Sequence, residues 1–145
     1  MDIKNIIIGS DHAGFGLKES IIIYLKQHNV SVTDVGPHNG ASVDYPDYGH
    51  KVANAVQEDA TSMGIVICGS GNGISMAVNK HQGIRCALCW MPEIAALARQ
   101  HNNANVLAIP ARFVRIETAL EMVQVFMDTT FEGGRHQLRV AKIDN

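Results

Sequence analysis

Apolar residues fall into short β-branched runs, separated by longer stretches in which they recur every three or four positions. The run from Asn5 to Gly9 predicts a strand, and Gly16 to His28 predicts a helix with Leu17, Ile21, Tyr24 and Leu25 on one face. Val30 to Asp34 reads as a second strand, followed by a loop rich in Gly, Pro and Asn from Gly36 to Ser42. Tyr48 to Glu58 predicts a helix with Asp47 as its N-cap. Met63 to Cys68 reads as a buried strand, with Gly71 to Lys80 as the helix after it. Arg85 to Cys89 and Pro92 to His101 make a further strand and helix, with Pro92 in the first turn, where its missing N–H is tolerated. Val106 to Ile109 is a fifth strand, Arg115 to Phe131 a last long helix, and Glu132 to Asn145 a polar tail.

Five strand–helix units with nearly continuous apolar strands predict a parallel sheet covered by helices on both faces. The expected fold class is α/β: a three-layer, doubly wound, Rossmann-like sheet of five parallel strands in the order 2-1-3-4-5, with a C-terminal helical tail. No repeat, linker or charge block divides the chain, so residues 1–145 read as a single domain. Ligands of such folds sit at the carboxyl ends of the strands, near the switch between strands 1 and 3. That directs attention to the loops after Gly9 and after Cys68.

Composition narrows the function classes. With 46% apolar and 18% charged residues the chain can build a core and is not a disordered protein. A net charge of −2 supplies no basic footprint for nucleic acid. The longest apolar runs, such as Ile6-Ile7-Ile8 and Ile21-Ile22-Ile23, fall far short of the roughly 18 residues of a membrane helix. Met1-Asp2-Ile3-Lys4 leads straight into a strand pattern, so no signal peptide is expected. Three cysteines make no disulfide framework. The expectation is a cytoplasmic protein with a small-molecule ligand and neither nucleic acid nor membrane as partner.

The first loop reads Gly9-Ser10-Asp11-His12-Ala13-Gly14-Phe15-Gly16. It has the glycine spacing of a P-loop, but Phe15-Gly16 replaces the obligatory Lys and Ser/Thr, so triphosphate binding fails. Asp11 and His12 at a strand's carboxyl end suit sugar hydroxyls or the orientation of a proton donor; the alternative is a helix cap beside an exposed histidine. The second loop reads Cys68-Gly69-Ser70-Gly71-Asn72-Gly73, whose alternate glycines let the backbone approach a ligand and turn N–H groups towards an anion. Met76 stands where a dinucleotide fingerprint needs its third glycine. Cys68 at the start of this loop suits a thiolate, against the commoner fate of a buried small hydrophobe. Cys86 and Cys89 point to opposite faces of one strand, so they read as core, and no metal site is expected. His101 ends a helix, where the dipole alone favours it. Arg135 and Arg139 are four apart and share a face if the tail is helical, which suits a phosphate or is an ordinary solvated face.

Together these segments resemble ribose-5-phosphate isomerase B, in the sugar-phosphate isomerase family that also includes galactose-6-phosphate isomerase subunits. The resemblance rests on Gly9 to Phe15, on Ile67 to Ser75 with Asn79-Lys80, on Arg99-Gln100-His101-Asn102 with Asn105-Val106-Leu107, and on Glu132 to Gln137 with Arg139. It spans essentially the whole chain, in the same order. It implies interconversion of ribose 5-phosphate and ribulose 5-phosphate without metal or cofactor, by a homodimer whose active sites are shared between subunits, or by a tetramer built from such dimers. By the same resemblance Cys68 is the proton-transferring base and His101 the ring-opening acid and base. Ser70, with the backbone of Gly69, Gly71, Asn72 and Gly73, would hold the developing oxyanion. Asp11, His12 and Asn102 would hold sugar oxygens, and Arg112, Arg135 and Arg139 the phosphate. Helix Pro92–His101 is on the order of 15 Å long, which carries His101 away from the strand edge of Cys68 and calls for a partner subunit. The alternatives are a hexose 6-phosphate isomerase of allose or galactose type and a non-catalytic phosphosugar sensor.

Overall fold

The structure, a computed structural model, describes Ile3 and residues 5–145. Strands β1 (Asn5–Ser10), β2 (Ser31–Gly36), β3 (Ser62–Cys68), β4 (Cys86–Leu88) and β5 (Val106–Pro110) alternate with helices α1 (Phe15–Gln27), α2 (Tyr45–Glu58), α3 (Asn72–Val78), α4 (Pro92–Asn102) and α5 (Ile116–Asp128). A short α6 (Arg135–Val140) follows, so the tail is helical as expected. All four strand pairings are parallel.

The side-chain period of two divides the core into the two faces of this sheet. Ile6, Ile8, Ile65, Ile67, Leu107 and Ile109 pack with Ile21 and Leu25 of α1, Ala95 and Ala98 of α4, and Met122 and Phe126 of α5. The intervening Ile7, Val66, Val106 and Ala108 pack with Val52 and Val56 of α2 and Ile74 and Val78 of α3. Three layers result.

The strand order is β2-β1-β3-β5-β4, so the expected 2-1-3-4-5 is corrected at one edge, where β5 lies inside β4. Burial explains the exchange. Every residue of β5 is buried, whereas β4 has three residues, all only partly covered. The strand that is apolar on both faces takes the interior position, and the short one becomes the edge.

Helix α2 begins at Tyr45 rather than Tyr48: Pro46 occupies the first turn, Asp44 the N-cap, and Asp47 is helical. Helix α5 stops at Asp128, three residues before the expected Phe131. Cys89 lies just past β4 in the α1/α4/α5 core, while Cys86 packs against the α2/α3 core, and both are free thiols. Burial pushes the Cys89 thiol up to about 12, and burial with the neighbouring Cys89 raises Cys86 still further. At neutral pH neither supplies a thiolate, so they are core residues and not a redox or metal pair.

One ion pair ties α1 to the site-bearing edge. The fully buried Lys18 Nζ donates to both carboxylate oxygens of Asp34 (3.0 and 2.9 Å) and to Glu19 (3.0 Å). Asp34 Oδ1 also accepts the Gly36 N–H (2.9 Å), so the pair anchors the end of β2 from which the chain runs on to Tyr45. Lys18→Met is expected to cost about 3 kcal/mol in denaturant unfolding, because Asp34 loses its buried partner. A loss below about 1 kcal/mol would show that water replaces the lysine and that the pair is no better than a surface one.

Candidate active site

The carboxyl ends of β1 and β3 lie side by side, Ser10 level with Ile67. Asp11 is 8% exposed; its N–H donates to the Ile67 C=O (3.1 Å) and its Oδ1 accepts the Gly14 N–H (3.0 Å). It thus braces the turn into α1, whose N-cap is Gly14 rather than Asp11, and it also lines the adjoining cleft. His12 is exposed, and its Nδ1 accepts the Val43 N–H (3.3 Å), which holds the segment leading to Tyr45.

Cys68 ends β3, opposite Pro110 of β5, and is 5% exposed. The Ala111 N–H donates to the Cys68 C=O (2.9 Å) and the Arg112 N–H to the Gly69 C=O (3.0 Å), laying Arg112 beside the glycine loop. Gly71 has φ +75°, a left-handed conformation, and a Cβ there would overlap Leu88 Cδ1, so only glycine fits. At Gly73 a Cβ would stand 2.9 Å from the Tyr45 hydroxyl; the missing side chain admits the tyrosine ring. Ser70 Oγ accepts the Asn72 N–H (3.3 Å) at the start of α3. The amide N–H groups of Ser70 and Gly71 have no acceptor among the described residues, which leaves two donors next to Cys68. Asp11, Tyr45, Cys68, Gly69, Ser70, Gly73, Arg112 and Phe113 line a cleft of about 520 Å³, a size suited to a small ligand.

A second group of expected site residues lies elsewhere. Cys68 is level with Pro110 at the carboxyl end of β5, but His101 and Asn102 close α4 just before the chain enters β5 at Val106. Four strand steps, about 13 Å, separate those two levels. His101 does not line the Cys68 cleft; its ring stacks on His136 instead, and Arg135 and Arg139 ride on α6 beside it.

A family model described as Ribose/Galactose Isomerase matches residues 6–143. The chain belongs to that family. The isomerase is 46% identical over 140 residues to ribose-5-phosphate isomerase B of Escherichia coli (strain K12), covering 97% of this chain and 94% of that protein. It matches a crystal structure of a ribose 5-phosphate isomerase from Thermotoga maritima with a TM-score of 0.95, at 47% identity and 97% coverage of both chains. A ribose-5-phosphate isomerase B of Mycoplasma genitalium, solved with bound ribulose-5-phosphate, matches with a TM-score of 0.93 at 46% identity, covering 96% of this chain and 93% of that one. The isomerase is accordingly an aldose–ketose isomerase of sugar phosphates.

Two other features of the isomerase compete for attention. The His101, Glu132 and His136 donor atoms all lie within 4.8 Å of one another, a grouping that suits a metal. The two imidazoles are stacked, however, 11° from parallel with centroids 4.3 Å apart. Lone pairs in the planes of parallel rings do not converge on one ion, so the arrangement does not fit one. A larger cleft, about 700 Å³, opens at the amino ends of β3 and β5 around Arg85 and Arg99. There Arg85 donates to the Asn102 and Asn103 carbonyls and Arg99 to those of Ala104 and Thr129, so both serve the C-terminal end of α4.

Sequence patterns passed over Tyr45 and Phe113. Tyr45 reaches the loop only because α2 packs on α3 across Gly73, a contact no local pattern encodes. Phe113 is 74% exposed, and an aromatic beside Arg112 in a post-strand loop was its only available signal.

Proposed function

We propose that the isomerase interconverts ribose 5-phosphate and ribulose 5-phosphate through an enediolate, as a cytoplasmic, single-domain enzyme whose homodimer shares its active sites. The observation that carries this reading is Cys68 in the wall of a cleft that Gly69, Ser70 and Arg112 also line. The Cys68 thiolate removes the C2 proton of the open aldose, and the electron pair moves onto the C1 oxygen. The Ser70 and Gly71 N–H groups and the Ser70 hydroxyl stabilise the oxyanion that develops. A proton then passes from the C2 hydroxyl to the C1 oxygen while the Cys68 thiol returns its proton to C1, which completes the ketose and balances the reaction without a redox cofactor. Asp11, His12, Asn102 and the backbone of Gly69, Asn72 and Gly73 hold the sugar oxygens, and Arg112 takes the phosphate.

His101, Asn102, Arg135 and Arg139 come from the partner subunit in this reading. Their distance from Cys68 along β5 supports it, and so do the exposed apolar side chains of Trp90 (52%) and Phe113 (74%) beside the carboxyl edge and Leu138 (72%) on α6. A second copy meeting this edge through its α4–α6 end would cover them. Among the described residues no helix is long and apolar enough to cross a membrane.

Arg135→Ala and Arg139→Ala are each expected to raise the Michaelis constant, since truncating one partner of a buried, charged hydrogen bond costs about 2–5 kcal/mol. Inorganic phosphate should compete with substrate in the native enzyme. Unchanged constants in both variants would return these arginines to the solvated surface. The deciding assay for the whole reading compares kcat/KM on ribose 5-phosphate, allose 6-phosphate and galactose 6-phosphate. A clear preference for either hexose phosphate would replace the pentose assignment.

A further inference from the structure

His101 is held by two residues that the reaction as drawn leaves unused. The Glu132 N–H donates to the Gln100 C=O (3.0 Å), pinning residue 132 to the last turn of α4. His136, in the first turn of α6 and only 8% exposed, lays its ring flat on that of His101. In both imidazoles Nε2 lies near one carboxylate oxygen: Glu132 Oε1 is 3.5 Å from His136 Nε2 and 3.9 Å from His101 Nε2. The His101 ring makes no hydrogen bond among the described residues, and with Nε2 on the Glu132 side Nδ1 is the nitrogen left for a substrate.

We propose that Glu132 is a positioning residue for ring opening, holding His101 by its Nε2 side against the His136 ring so that Nδ1 works on the furanose. The proposal rests on the reading of His101 as the ring-opening acid and base. A carboxylate facing Nε2–H selects the tautomer whose Nδ1 is unprotonated, and it stabilises the imidazolium formed in the step. Nδ1 takes the proton of the anomeric hydroxyl, the bond from C1 to the ring oxygen breaks, and the same proton passes to that oxygen. Protons balance on one histidine. The contacts are longer than hydrogen bonds, a spacing common in unliganded sites that tightens once substrate is bound.

The charges around the cluster favour this division of labour. Burial, His101, Arg135 and Arg139 hold His136 below the ordinary histidine value, with Glu132 opposing them. The charged form of His136 is thereby disfavoured beside Glu132. On α4 itself, Arg99 is turned away onto the Thr129 and Ala104 carbonyls.

Glu132→Gln keeps the shape and removes the charge. Ribose 5-phosphate must open before it reacts, whereas ribulose 5-phosphate, with its C5 oxygen esterified, cannot close a furanose. In the variant, kcat on ribose 5-phosphate should fall about tenfold or more with the Michaelis constant within about twofold. Exchange of solvent deuterium into C1 of ribulose 5-phosphate should stay within about threefold of native, and Glu132→Asp should recover part of the missing turnover. Equal losses in turnover and exchange would make Glu132 merely structural, and no loss in either would remove it from the reaction; both outcomes overturn the proposal alone. Native enzyme without turnover of ribose 5-phosphate overturns the underlying reading instead.

Discussion

Cys68→Ala should reduce isomerisation by about 10³-fold or more while phosphosugar binding stays within about tenfold of native. The thiol is one small, nearly buried group in the cleft wall, and nothing about its position suits it to anchor a ligand. Arg112 and the free amides of Ser70 and Gly71 remain in the variant to hold phosphate and oxygen. Binding measured by calorimetry should therefore survive, while exchange of solvent deuterium into C1 of ribulose 5-phosphate disappears together with turnover. Cys68→Ser should be nearly as inactive, because an alcohol ionises far less readily than a thiol. Exchange that persists in the alanine variant would transfer the role of base to another residue in the cleft.

Mixing two dead proteins should restore activity. If each site takes Cys68 from one subunit and His101 from the other, a dimer of one Cys68→Ala chain and one His101→Ala chain holds one doubly damaged site and one intact site. Random reassociation makes half of the dimers mixed, each with one working site of two, so about a quarter of native activity should return. Neither protein alone should show more than a trace. The expectation follows from Cys68 standing level with Pro110 while the chain leaves His101 and Asn102 to enter β5 at Val106. Mixed dimers that form and stay inactive would place both residues in one chain's site, and the isomerase would then need a movement of α4 to assemble it.

The two halves of the candidate site were legible to different degrees. The loops after β1 and β3 could be singled out because alternate glycines, Asp11-His12 and Cys68 are chemistry written in consecutive residues at strand ends. The grouping of His101 with Glu132 and His136 was not legible, since it depends on α6 folding back onto the end of α4 some thirty residues later in the chain. The same holds for Tyr45, which meets Gly73 only through the packing of α2 on α3.

By itself the sequence determined the parallel α/β class, the approximate span of each element, the core role of Cys86 and Cys89, and the family. Those properties follow from side-chain period and from short motifs, which act within one element or one turn. The tertiary structure alone decided that β5 lies inside β4, that α2 starts at Tyr45, and that His101 stacks on His136 beside Glu132. These outcomes depend on competition between elements for burial. A fully apolar β5 displaces a short, half-covered β4 from the interior, and no pattern within either strand records which of them will win.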